Sequence, residues 1–201
     1  MRSLLVFVCC ILATSANAGL ITYSNETDFI TDAGTSGTVI DFENATDVMP
    51  SFSESGVVFD TNGFESNDIL LGDYAGTGSQ QIYSNYFVNN LTISFLNTGI
   101  NAFGTEIYSL YSASTISIDL FLSDNTIESL SIDSSDGYFG AILSGGTYVR
   151  QITMFSNSDQ AEGLDNFYFT TTSVNSVPEP STLGVLALTL AGMVFSRKRK
   201  S

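Results

Sequence analysis

Two acidic clusters and a set of tyrosines are the residues of this 201-residue chain with the most chemistry to offer. Asp41-Phe42-Glu43 lies early and Leu164-Asp165-Asn166-Phe167-Tyr168-Phe169 lies late. Side chains two apart on a strand point the same way, so Asp41 and Glu43 are expected to share a face. The same alternation groups Asp165, Phe167 and Phe169. Carboxylate and amide oxygens are the hard ligands that Ca²⁺ takes; the plainer reading is a strand-edge carboxylate and an Asx turn. A further stretch, Asp60 to Asp68 followed by Leu71 to Gly78, is rich in Asp, Asn and Gly. It reads as a calcium- or sugar-binding loop, but it lacks the ligand spacing and closing Glu of an EF-hand. Tyr74, Tyr83, Tyr86, Tyr108, Tyr111 and Tyr138 offer aromatic faces for sugar CH surfaces. Tyrosine is also a good strand former, and packing is the alternative role for most of them.

What is missing narrows the chemistry. The chain has no His, no Trp and 2 Cys. Without His there is no Ser-His-Asp triad or Cys-His pair, and imidazole- or thiolate-based zinc and copper sites are disfavoured. Residues 19–177 carry 20 acids against Arg150 alone, a net charge of −19. Phosphate neutralisation needs clustered Lys and Arg, so no nucleic-acid partner is expected. Glycines 72, 76 and 78 make no phosphate cradle, because no Lys follows them. Glycoside hydrolysis uses two carboxylates at a set separation, but twenty acids supply such pairs by chance. The surplus charge favours solubility and raises the local cation concentration, at the cost of self-repulsion.

The elements that must position these groups read as short strands divided by Gly, Asn, Asp and Ser clusters. Ile116, Ile118, Leu120 and Leu122 alternate onto one face of 115–122, Asp124-Asn125 signals a turn, and 126–132 returns, giving the clearest hairpin. Further strands are expected at 20–23, 38–42, 56–59, 69–71, 81–88, 91–96, 100–110, 137–143, 147–155 and 164–170. One helix is expected at 26–32, capped by Ser24 or Asn25. One strand per dozen residues or so suits an all-β, antiparallel β-sandwich of jelly-roll type over residues 19–170, large enough to bury a core. Residues 171–176 read as a polar linker.

The two ends read as addresses. Residues 1–18 have Arg2, an apolar run from Leu4 to Ala13, and Ala16-Asn17-Ala18 as a small-x-small cleavage site, the pattern of a signal peptide handled by the secretion translocon and signal peptidase. Both cysteines lie in it and leave with it. Residues 177–201 begin with Val177-Pro178-Glu179-Pro180, continue through an apolar stretch at 183–195 and end in Ser-Arg-Lys-Arg-Lys-Ser. Thirteen helical residues rise only about 20 Å, short of the roughly 30 Å hydrocarbon core. The basic cluster keeps that end cytoplasmic and leaves the body outside. The alternative is a plain tail anchor in which Pro-Glu-Pro only breaks the helix.

Val-Pro-Glu-Pro, a short apolar helix and a basic tail, in that order, resemble the PEP-CTERM sorting signal. The resemblance implies an exosortase partner in the inner membrane of a Gram-negative bacterium, recognition through Pro178, Glu179 and Pro180, transient anchoring by 183–195, and delivery to the cell surface or exopolysaccharide matrix of a biofilm. The early Phe-Glu and late Asp-rich strand resemble carbohydrate-binding modules and MAM-like domains, in which a structural Ca²⁺ joins the first and last strands. That resemblance implies Glu43 and Asp165 as side-chain ligands, with Asp41 and Asn166 as further candidates. The expectation is a non-catalytic exported sandwich that binds polysaccharide or adheres. A secreted polysaccharide hydrolase using paired carboxylates and a protein-binding adhesin are the alternatives.

Overall fold

Strict alternation makes the hairpin expected at 115–132 one edge of the molecule. In the computed structural model β9 (Thr115–Leu122) pairs with β10 (Ile127–Asp133) from Thr115↔Asp133 to Phe121↔Ile127. Ile116, Ile118, Leu120 and Leu122 are all buried, as their spacing requires. Asn125 takes a positive φ of 68° in the turn. Arg150 secures it: Nε donates to the Leu122 carbonyl at 3.1 Å and Nη2 to Asn125 Oδ1 at 3.0 Å. The body's lone cation therefore serves the hairpin turn.

The structure describes residues 19–45, 49–61, 69–84, 90–96, 99–109, 115–156 and 162–170. The remaining strands are β1 (Leu20–Tyr23), β2 (Thr38–Ile40), β3 (Ser51–Glu54), β4 (Val57–Thr61), β5 (Ile69–Gly72), β6 (Gln81–Ser84), β7 (Leu91–Phe95), β8 (Ala102–Ser109), β11 (Tyr138–Leu143), β12 (Val149–Ser156) and β13 (Glu162–Thr170). A 3₁₀ turn, Ser134–Asp136, joins β10 to β11. Among these residues, one sheet runs β1-β11-β8-β13-β6-β5 with β2 also on β13, and the other runs β10-β9-β12-β7-β4-β3; every pairing is antiparallel. The expected all-β antiparallel sandwich is the fold. Strand β3, a short polar edge segment, is the one the sequence reading lacked.

One core cluster fills the space between the sheets. Its centre is aromatic. Phe167 sits edge-on to Phe59 at 5.4 Å between ring centroids and lies alongside Phe95 and Phe103, each at 6.4 Å. Phe42 packs on Phe59 at 5.3 Å.

A second cluster lies on the outer face of the β8 sheet, under helix α1 (Glu26–Ala33). Asn25 caps the helix, its side chain accepting from the Asp28 N–H at 3.1 Å. Of the two caps expected, Asn25 is the one used. Phe29 is fully buried against Tyr168 at 5.4 Å and Tyr23 at 5.7 Å. The sheet has to be flat beneath it: a Cβ on Gly104 or Gly140 would come within 2.8 or 2.6 Å of the Phe29 ring. The Tyr168 hydroxyl accepts from Gly37 N–H at 3.1 Å and donates to the Gly34 carbonyl, fixing the link from α1 to β2. Asn25→Ala should lower stability by about 1 kcal/mol in chemical denaturation; an unchanged midpoint would mean that α1 is held by Phe29 alone.

Candidate functional site

Strand β13 changes partner part-way along. One edge follows β8 throughout. The other pairs with β6 at Gly163 and Leu164, then with β2 at Phe167, Tyr168 and Phe169. Between these stretches the β8 register slips by one residue, between Asp165 and Tyr168, and Asn166 adopts a φ of 48°. This is a β-bulge, which re-aims side chains where pairing breaks. Asp165 pairs with Glu106, while Phe167 and Phe169 go into the core. The expected common face for Asp165, Phe167 and Phe169 is therefore wrong, because the bulge interrupts the two-residue period.

The chain leaving β2 enters the gap so formed. Strand β2 ends at Ile40, and Phe42 takes a φ of 59°, a left-handed conformation uncommon for a bulky residue. Full burial of the Phe42 ring between Phe52 and Phe59 holds it there. Asp41 and Glu43 are thus not alternate residues of a strand. Asp41 Oδ1 accepts from the Glu43 N–H at 3.2 Å in an Asx turn, and the Asp41 side chain is exposed.

Glu43 instead reaches the loop that precedes β6. Its Oε1 accepts from Ser79 Oγ and from Gln80 N–H, each at 2.8 Å, and the Gln80 side chain bonds the Glu43 carbonyl at 3.4 Å. These donors, the Gln80 N–H first, hold the Glu43 carboxyl below its ordinary pKa. The loop is braced at its other end by Asp73, which accepts from Thr77 N–H at 2.7 Å and Gly78 N–H at 2.9 Å. Gln81 then bonds Thr77 Oγ1, the Ser79 carbonyl and the Tyr83 hydroxyl.

Asp165 lies beside this bridge and has no exposed surface. Its Oδ1 accepts from the Asn166 N–H at 2.7 Å, while Oδ2 is buried without a hydrogen-bond partner. Burial pushes the Asp165 pKa up, and the Glu106 and Glu43 charges add to the rise; the Ser79 hydroxyl and Asn166 N–H oppose it. A buried carboxyl with an orphaned oxygen thus sits beside two other acidic groups. Buried carboxylates are ordinarily paired or bound to metal, and Arg150 is committed to the other sheet.

The structure brings Glu43 and Asp165 to one place, with Asn166 contributing its backbone, and leaves Asp41 on its own turn. Among the described residues no three acidic side chains converge as a ready metal cage. Ser79, Gln80 and Glu106 were not singled out from the sequence. They arrive through strand order, which no local pattern records.

The tyrosines divide. Tyr83 is fully buried, Tyr138 is nearly so, and Tyr108 is half-buried and donates to the Glu106 carboxylate. Gly163, between β6 and β8, gives Tyr83 its room: a Cβ there would lie 2.2 Å from the ring. Of the described members of this set, Tyr74 alone is largely open, 51% exposed, with its ring edge-on to Tyr83 at 5.8 Å. Tyr86, Tyr111, most of the 60–68 segment, the signal peptide at 1–18, and the tail with Pro178, Glu179, Pro180 and the span at 183–195 lie outside the described residues. Among those described, no helix is long and apolar enough to cross a membrane.

The described chain is thus an antiparallel β-sandwich with an acidic strand switch under a tyrosine-bearing loop. Residues 176–200 match the PEP-CTERM protein-sorting motif, as the tail's three-part pattern implies. No curated protein sequence matches the chain. Among solved structures, a point mutant of a family 29 carbohydrate-binding module is similar at 13% identity over 73% of this chain and 99% of that one, with a TM-score of 0.42. A two-module piece of a Clostridium thermocellum endo-1,4-β-D-xylanase, complexed with xylohexaose, is similar at 11% identity over 70% of this chain and 29% of that one, with a TM-score of 0.42. A family 61 module bound to β-1,4-galactotriose is similar at 10% identity over 66% and 94%, with a TM-score of 0.36.

Proposed function

We propose that this is an exported protein, sorted by an exosortase to the surface or exopolysaccharide matrix of a Gram-negative bacterium, whose sandwich binds polysaccharide without cleaving it. The tail match supports the sorting half, with Pro178, Glu179 and Pro180 as recognition residues and 183–195 as a transient anchor in the inner membrane. Residues 1–18 are removed, 19–170 form the binding domain, and 171–176 link it to the tail. The ligand half rests on one observation: Tyr74 is a half-exposed aromatic ring held in place by Tyr83 and a braced loop. A pre-positioned ring loses little freedom on meeting a sugar face, and the acids and amides around it suit hydroxyl groups.

In this reading Glu43 and Asp165 hold a structural Ca²⁺. The fit is chemical. Ca²⁺ takes carboxylate and neutral oxygens, and the pair has an orphaned Oδ2 and the Ser79 hydroxyl, while the one cation among the described residues, Arg150, is engaged at the hairpin turn. Bound there, the ion would neutralise the buried charge. The hydrolase alternative is poorly served, because Asp165, the acid with the raised pKa, has no surface on which to meet a substrate.

Tyr74→Ala tests the ligand site. Retention on the host's extracellular polysaccharide should weaken about tenfold, equivalent to ~1.4 kcal/mol, with the melting temperature nearly unchanged. Wild-type protein that is not retained with calcium present, or that releases reducing sugar, would overturn the reading.

A further inference from the structure

The carboxylate pair and the exposed ring are ends of one connected structure. Tyr74 sits in the loop 73–80. Asp73 braces the loop from within, through Thr77 and Gly78. Glu43 ties it to a distant part of the chain: one carboxylate oxygen receives both Ser79 Oγ and Gln80 N–H, while the Gln80 side chain reaches the Glu43 carbonyl. Glu43 therefore serves two structures at once. One is the loop that presents Tyr74. The other is the acidic pair it makes with Asp165, the buried carboxyl beside the same Ser79 hydroxyl.

The Ser79 hydroxyl donates to Glu43 and also lies against Asp165. Asp165 Oδ2 is left bare beside the same bridge. The two carboxylates thus meet at one hydroxyl, and Glu43 is the one that carries the tie to the loop. A cation shared by both would fix the Glu43 side chain, and with it the loop that hangs from it.

We infer that a divalent cation at Glu43 and Asp165 sets the order of loop 73–80 and thereby the presentation of Tyr74, so that ligand binding depends on calcium without the sugar touching the metal. The inference rests on the cation site proposed above. Reciprocity follows from linkage: a ligand that orders the loop raises calcium affinity by the same factor.

The chain contains no Trp, so Tyr74→Trp places a single indole reporter in the loop. Calcium alone, added to the EDTA-treated full-length chain, should raise the reporter's fluorescence anisotropy saturably. It should also slow amide hydrogen exchange across 73–80 by about 5-fold or more, the lower end of typical coupling factors. Glu43→Gln should abolish both responses; Asp165→Asn, nearly isosteric, should do the same and serves if Glu43→Gln does not fold. Melting temperature is followed in parallel. If calcium raises it while the reporter and loop exchange stay still, the cation site stands and the coupling is overturned. If nothing moves, both fall.

Discussion

Replacing Phe167 by alanine is expected to destabilise the protein by about 3–5 kcal/mol, the usual cost of removing a buried aromatic ring. In a domain of this size that lowers the melting temperature by roughly 6–20 °C. The ring has no exposed surface and touches Phe59, Phe95, Phe103 and Phe169, which come from β4, β7, β8 and β13 itself. It is the point where the two sheets interlock, so the hole cannot be filled from one side. Urea denaturation would measure the loss. A change below about 1 kcal/mol would mean that the sheets close on each other without this ring, contrary to the packing described.

Asp165→Asn should do the opposite in metal-free buffer: stability at neutral pH should rise by about 1–3 kcal/mol, because the buried side chain no longer carries a charge. The amide keeps the acceptor for the Asn166 N–H and removes the charge facing Glu43 and Glu106. The pH dependence fixes the sign. Asp165 holds its proton to higher pH in the folded chain than in the unfolded one, where the value is about 3.9. Between those two values the folded state binds more protons, so wild-type stability falls as pH rises. The advantage of the Asn variant should be absent below the unfolded value, grow through that window and then level off. Calcium should reverse the order, stabilising the wild type and leaving the variant unmoved. An Asn variant less stable than wild type at neutral pH in EDTA would show that the Asp165 charge is already compensated.

The sequence reveals this protein unevenly, for physical reasons. Hairpin β9–β10 was legible because four apolar residues at period two can face only one way. Helix α1 was legible because Asn25 supplies a capping oxygen ahead of an apolar turn. The two acidic segments were found as residues but misplaced in space. Phe42 is pulled into a left-handed turn by burial of its ring, which takes Asp41 and Glu43 off the strand. The bulge at Asn166 turns Asp165 away from Phe167. Both are departures from regular geometry set by tertiary packing; Asn166 is a residue type that tolerates a left-handed conformation, whereas Phe42 carries no such sign. Ser79 and Glu106 complete the site from positions 86 and 59 residues before Asp165, a proximity that only the order of strands creates.

Strand β13 also has a mechanical consequence. It ends at Thr170 and is flanked along both edges, by β8 on one side and by β6 and then β2 on the other. A pull on the chain beyond Thr170 must break the ladders on both sides before β13 comes free. An edge strand such as β1 or β10 is held by one ladder only. Resistance to force is set by the rate of unfolding, and a second ladder to break slows it. The strand from which the tail departs is therefore anchored twice over, once along each of its edges.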